Sequence, residues 1–105
     1  EIFGKADVDG VKVKNLVTGE VKTIDCKGYF AALGHVPNTQ VFKGQLETDE
    51  AGFIAVKGHG SQTSVEGVFS AGDCADHVYQ QAITAAGMGC RAAIDASRWL
   101  ESVAH

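Results

Sequence analysis

Residues 63–100 read TSVEGVFSAGDCADHVYQQAITAAGMGCRAAIDASRWL, and the order of residue types within them decides the fold class. Val68, Phe69, Ser70 and Ala71 make an apolar run of strand length, and Gly72 then lets the backbone approach a neighbour closely. Asp73 follows where the strand emerges at its carboxyl end, the edge at which open α/β sheets bind ligands. From about Gln80 onward, Ala82, Ile83, Ala86, Cys90, Ala93, Ile94 and Ser97 recur at helical spacing. The spacing predicts a long helix that frays near Ser102, with a narrow small-residue face able to pack against a sheet or a flat ligand. Its first turn offers unpaired N–H groups. Strand, glycine, aspartate and helix in that order place the chain in the α/β class.

Upstream, residues 11–16 (VKVKNL) alternate apolar and polar as a half-buried strand does. Residues 17–20 form a turn and residues 21–26 the return strand of a hairpin, with Lys12, Lys14 and Lys22 on its wet face. Residues 29–33 (YFAAL) are almost continuously apolar, which predicts a strand buried on both faces. Residues 34–39 (GHVPNT) break the chain, and Val36 is pushed to extended geometry by Pro37. Residues 46–48 and 53–56 read as two short strands about the turn 49–52, and residues 57–62 as a glycine-rich loop.

The totals bound what such a chain can be. Its 105 residues hold one small domain with a modest core, not two nucleotide domains. A 45% hydrophobic and 21% charged composition is ordinary for a globular chain. Net charge is −4 with no basic patch, which argues against nucleic acid or an anionic membrane as partner. No apolar run approaches membrane-spanning length and no signal-peptide pattern is present. Cys26, Cys74 and Cys90 form neither a C-x-x-C pair nor a metal-ligand spacing, so no metal site is expected. An odd count of unclustered thiols suits a reducing compartment, so the cytoplasm is expected, with an organelle stroma or matrix as the alternative. The chain opens on Glu1 without a methionine, and the expectation is a fragment or a processed product.

The run Thr63-x-x-x-x-Val68-Phe69-Ser70-Ala71-Gly72-Asp73 resembles the second FAD fingerprint of the flavoprotein disulfide reductases. Its continuation, Asp76-His77-x-Tyr79-x-Gln81-Ala82-Ile83-Thr84-x-Ala86-Gly87-x-Gly89-Cys90, is similar to the low-molecular-weight, NADPH-dependent thioredoxin reductases. Residues 34–39 and 44–47 (GQLE) resemble the same family in the same order. The resemblance covers nearly the whole chain but only the last third or so of a complete reductase. It implies an incomplete FAD/NAD(P)-binding fold, three-layer ββα, with short strands and one long C-terminal helix. By the same resemblance residues 1–34 are the last strands of the NADPH-binding domain, and residues 35–105 close the FAD-binding domain. The implied parent passes reducing equivalents from NADPH to FAD, to a dithiol and on to thioredoxin. The implied partners are thioredoxin, the missing N-terminal part and a second copy in a homo-oligomer, and the fragment alone is expected to be inactive.

The resemblance implies a cofactor-binding role for this stretch, and no catalytic residue is assigned. A flavin dinucleotide carries ribitol hydroxyls that donate, so an Asp73 carboxylate is useful there as a charge-assisted acceptor. The other reading is a strand-end aspartate capping a turn. Reduction places negative charge on the flavin ring, which backbone donors and a helix head stabilise. The resemblance assigns that to Gln81 and Ala82, with Gly72, Asp73 and Gln80 completing the cofactor set. The family usually has arginine where this chain has Gln80, which bears on flavin affinity and redox behaviour. Residues 87–92 (GMGCRA) formally fit G-x-G-x-x-A but lie inside a helical pattern instead of opening a helix after a strand, so they are read as close-packing glycines. Cys74 lacks a resolving partner and reads as a packed thiol. His77 reads as a polar turn residue near the cofactor, and His35 as either a hinge or a solvated loop residue. Two other functions remain open: a related flavin reductase serving ferredoxin or a peroxiredoxin, and a non-catalytic, self-associating module.

Overall fold

The computed structural model describes residues 1–104; His105, placed above at the end of the second domain, lies outside the described residues. The chain divides into two compact units, residues 1–34 and 35–105. The first is a three-stranded antiparallel sheet in the order β1 (Ile2–Gly4), β2 (Val8–Lys14), β3 (Val21–Asp25). The β2–β3 hairpin closes because the Asn15 side chain accepts the Val17 and Thr18 N–H groups, and Gly19 turns at φ +75. Gly10 on β2 has no room for a side chain: a Cβ would lie 2.6 Å from the Phe3 ring and 2.8 Å from the Ile24 carbonyl oxygen.

Register corrects one expectation in this unit. Lys14 pairs with Val21, Lys12 with Thr23, and Lys22 with Val13. Paired residues share a face in an antiparallel ladder, so Lys22 sits beside Val13 while Lys12 and Lys14 occupy the other side. Residues 29–33 depart further from expectation: they form no strand, and Phe30 and Leu33 are 94% and 91% exposed. A buried central strand needs a neighbour on each edge, and none of the described residues pairs with this run.

The second unit is built from turns and single ladder rungs around one helix, α1 (Ala82–Val103). The strands expected at 46–48 and 53–56 reduce to one antiparallel rung, Thr48 to Ile54, and residues 68–71 to one, Gln62 to Phe69. Phe53 and Ile54 are its buried hydrophobic core, with buried Thr39, Ser61, Thr63 and Ser70 around them. Each of the first three hydroxyls donates to a carbonyl or carboxylate: Thr39 to the Gly52 carbonyl at 2.6 Å, Ser61 to Asp95 at 2.7 Å and Thr63 to the Val68 carbonyl at 2.9 Å. Unpaired, each would carry a desolvation cost of about 1–3 kcal/mol. Asp95 also accepts the Ser61 N–H at 3.1 Å, which ties the glycine-rich loop to the helix. Trp99 closes the far end, its indole N–H on Glu66 at 3.3 Å and its ring edge-on to Phe69 at 6.4 Å.

The helix presents a different face from the one expected. Its half-buried positions are Thr84, Ala85, Met88, Ala92, Asp95, Ala96 and Trp99. Ala82, Ile83, Ala86, Cys90, Ala93, Ile94 and Ser97 are all exposed, Ile83 by 80%. Alanines on both sides leave little contrast, so the Ser61–Asp95 bond and Trp99 choose the packed face. Gly87 and Gly89 likewise face open space among the described residues, so neither serves a close approach there.

Candidate functional site

Gly72 turns at φ +81, a left-handed conformation that costs an L residue about 1–2 kcal/mol. A Cβ there would meet only Ala85, at 3.8 Å, so backbone conformation and not space calls for glycine. The Gly72 carbonyl then accepts the Ala75 and Asp76 N–H groups at 2.9 and 3.0 Å, closing a tight turn around Asp73 and Cys74. Asp73 is exposed, and its carboxylate has no hydrogen-bond partner among the described residues. Cys74 is packed: its thiol donates to the Ala71 carbonyl at 3.3 Å and lies 3.4 Å from the Ser70 hydroxyl.

Asp76 organises the loop between this turn and the helix. One carboxylate oxygen accepts the Val78 and Tyr79 N–H groups at 2.9 and 3.1 Å, and the other accepts the Gln80 N–H at 3.2 Å. These bonds, the Tyr79 N–H first and Val78 next, hold its carboxyl below the ordinary value of 3.8. Gln80 sits at φ +50, the one non-glycine with positive φ among the described residues. Gln81 then caps the helix in extended geometry, φ −110 and ψ 148. Thr84 reaches back to it, accepting the Gln81 N–H at 3.2 Å and donating to the Gln81 carbonyl at 2.8 Å. The Gln81 amide donates to the Tyr79 carbonyl. The Ala82 N–H, next in the chain, has no intramolecular partner among the described residues.

Asp73, Cys74 and Gln80 line one cleft of about 290 Å³ together with His35, Val36, Pro37 and Asn38. The strand-end aspartate and the residue leading into the helix therefore face a common space. A larger, open and largely apolar cleft of about 460 Å³, lined by Val78, Tyr79, Met88 and Arg91 among others, shares no residue with it. His77 is exposed and sits 5.8 Å from the Phe53 ring. Residues 87–92 are within α1, where no strand precedes them, so the G-x-G-x-x-A spelling has no structural counterpart. Among the described residues no three His, Cys, Asp or Glu side chains gather as metal ligands, and no helix is long and apolar enough to cross a membrane.

Comparison with known proteins identifies the family. The family described as pyridine nucleotide-disulphide oxidoreductase matches residues 2–89. The chain belongs to that family. Thioredoxin reductase of Mycolicibacterium smegmatis is 50% identical over 100 residues, which cover 95% of this chain and 32% of the relative. The enzyme of Coxiella burnetii is 51% identical over 100 residues, covering 91% and 31%. The structure of thioredoxin reductase from Giardia duodenalis superposes with a TM-score of 0.77 at 50% identity, over 95% of this chain and 33% of that one. That of Streptococcus pyogenes gives 0.78 at 33% identity, over 97% and 33%. The chain thus spans about a third of the length of the relatives it matches. Its three strands and single long helix are part of the FAD/NAD(P)-binding fold of this pyridine nucleotide-disulphide oxidoreductase family.

Sequence reading gave no role to two polar residues that fix the backbone between Gly72 and the helix. Asp76 holds the loop, and Thr84 closes the helix start. Their signals were present: an aspartate ahead of a polar run favours Asx-type bonding, and a hydroxyl residue three positions after Gln81 favours a reciprocal cap.

Proposed function

We propose that this chain is one wall of the FAD site in a thioredoxin-disulfide reductase that uses NADPH, and that it is inactive alone. On this reading residues 1–34 are the end of the NADPH-binding domain and residues 35–105 the end of the FAD-binding domain. The observation that carries the proposal is the cleft shared by Asp73 and Gln80, with Gln80 two residues ahead of the helix start at Ala82. The donor set fits the cofactor: an acceptor without an internal partner for ribitol hydroxyls, and an unpaired amide at a helix head for developing negative charge. Gly72 lets the chain turn into this position without a side chain. Of the two amides expected to face the flavin, Ala82 has the free N–H, while that of Gln81 is shared with Thr84. Bound there, FAD would supply hydride acceptance from NADPH and electron delivery to a dithiol. The chain's own residues bind and orient; they include no redox dithiol. Thioredoxin as acceptor, homo-oligomerisation and a cytoplasmic setting complete the proposal.

Exposed surface favours a second statement, about the chain when isolated. Its accessible surface is 8250 Å². Two separate compact bodies of its size would expose about 6,700 Å² by the usual scaling. The excess includes apolar side chains such as Phe30, Leu33 and Ile83, so the isolated chain self-associates. The deciding experiment joins this segment to the first two thirds of the M. smegmatis relative and examines the purified product. Stoichiometric FAD and NADPH-dependent reduction of thioredoxin are expected. A folded product that is colourless and takes up no added FAD would overturn the proposal.

A further inference from the structure

Three consecutive backbone N–H groups, those of Val78, Tyr79 and Gln80, converge on the single carboxylate of Asp76. The last of them belongs to the residue held at φ +50. Holding a glutamine in that conformation costs about 1–2 kcal/mol, which the bonds to Asp76 offset. Released, it would relax to negative φ, which rotates the next peptide and re-aims the chain entering the helix. The chain turns there between the cleft lined by Asp73 and the helix start at Ala82. We propose that Asp76 is the positioning residue of this site: by holding Gln80 left-handed it sets the direction of the Gln81 and Ala82 amides relative to Asp73. The inference rests on the FAD reading above. Asp76 acts through the backbone of Gln80, whose N–H its carboxylate accepts. An aspartate in this loop is expected to make an Asx-type bond, and it is the convergence of three N–H groups that singles Asp76 out.

The test uses the complete reductase carrying this segment, with FAD affinity followed by free-flavin fluorescence and the potential of the bound flavin measured in parallel. Asp76→Ala is expected to weaken FAD binding about tenfold, since one oriented donor is lost from the site. The potential should fall by about 30 mV if the reduced form loses a further tenfold. Two double variants then separate positioning from general damage. Glycine adopts positive φ freely and alanine does not, while both lack the glutamine side chain. Asp76→Ala with Gln80→Gly should therefore bind FAD at least about threefold more tightly than Asp76→Ala with Gln80→Ala, the loss of the Gln80 side chain being common to both. Should Asp76→Ala fail to fold, Asp76→Asn serves instead, because it keeps one acceptor oxygen and gives up the second. Parent-like affinity and potential in the folded single variant would overturn the inference and leave the FAD reading standing. Equal behaviour of the glycine and alanine pairs would also overturn it. A parent reductase without flavin would remove the reading beneath it.

Discussion

Replacing Asp73 should cost cofactor affinity and nothing else. Its carboxylate is exposed and bonds to no other described residue, so Asp73→Ala leaves no buried group unsatisfied. Such surface changes usually move stability by no more than about 0.5 kcal/mol. If the carboxylate accepts a ribitol hydroxyl, the lost bond is charge-assisted and worth about 1.5–3 kcal/mol, a rise in FAD Kd of about 10- to 150-fold. Asp73→Asn keeps an acceptor oxygen but loses the charge, so its loss should fall between the parent and the alanine variant. The assay is titration of apoprotein with FAD by fluorescence quenching, paired with thermal denaturation of the apoprotein. Parent-like affinity in Asp73→Ala would refute the reasoning. So would a drop in apoprotein stability matching the drop in affinity, because the aspartate would then be capping its own turn.

Other consequences can be checked with less. Gly67→Ala adds left-handed strain at φ +76 to a 2.8 Å approach to Trp99, and should destabilise by about 2–4 kcal/mol in urea unfolding, against about 1 kcal/mol for Gly58→Ala, which at φ +57 meets nothing. Equal losses in the two variants would show that Trp99 swings aside freely. Asp95 is held below its ordinary value of 3.8, chiefly by the Ser61 hydroxyl. A depressed folded-state value means stabilisation that is present above 3.8 and disappears as pH falls through the folded value. Acid unfolding followed by Trp99 fluorescence should therefore be less steep below pH 3.8 in Asp95→Asn than in the parent, and an unchanged profile would exclude this contribution. The isolated 105-residue chain should sediment as a concentration-dependent oligomer; a sharp monomer at every concentration would contradict the surface argument.

How much of the fold is legible in the sequence depends on the range of each signal. The β2–β3 hairpin is legible because alternation and turn chemistry are local, and the register of Lys14 on Val21 departs little from the expected turn. The helix start is legible to within two residues for the same reason, since alanines, the Thr84 cap and the preceding polar loop are all close in sequence. Residues 29–33 are legible as apolar but not as the unpaired run they form, because composition states that a run is to be covered and not by what. The helix shows the same gap more sharply. Its periodic alanines and isoleucines point to a packed side, yet the described chain packs the other side and leaves Ile83 and Ile94 bare. A helix with apolar or small residues on most of its circumference is one that a larger core surrounds. On the proposed reading both departures share a cause: such residues would carry contact information for the remainder of a reductase, of whose length this chain matches about a third. Asp73 and Gln80 are less exposed to that problem, because the turn at Gly72 and the bonds of Asp76 that set the backbone between them close within residues 72–80.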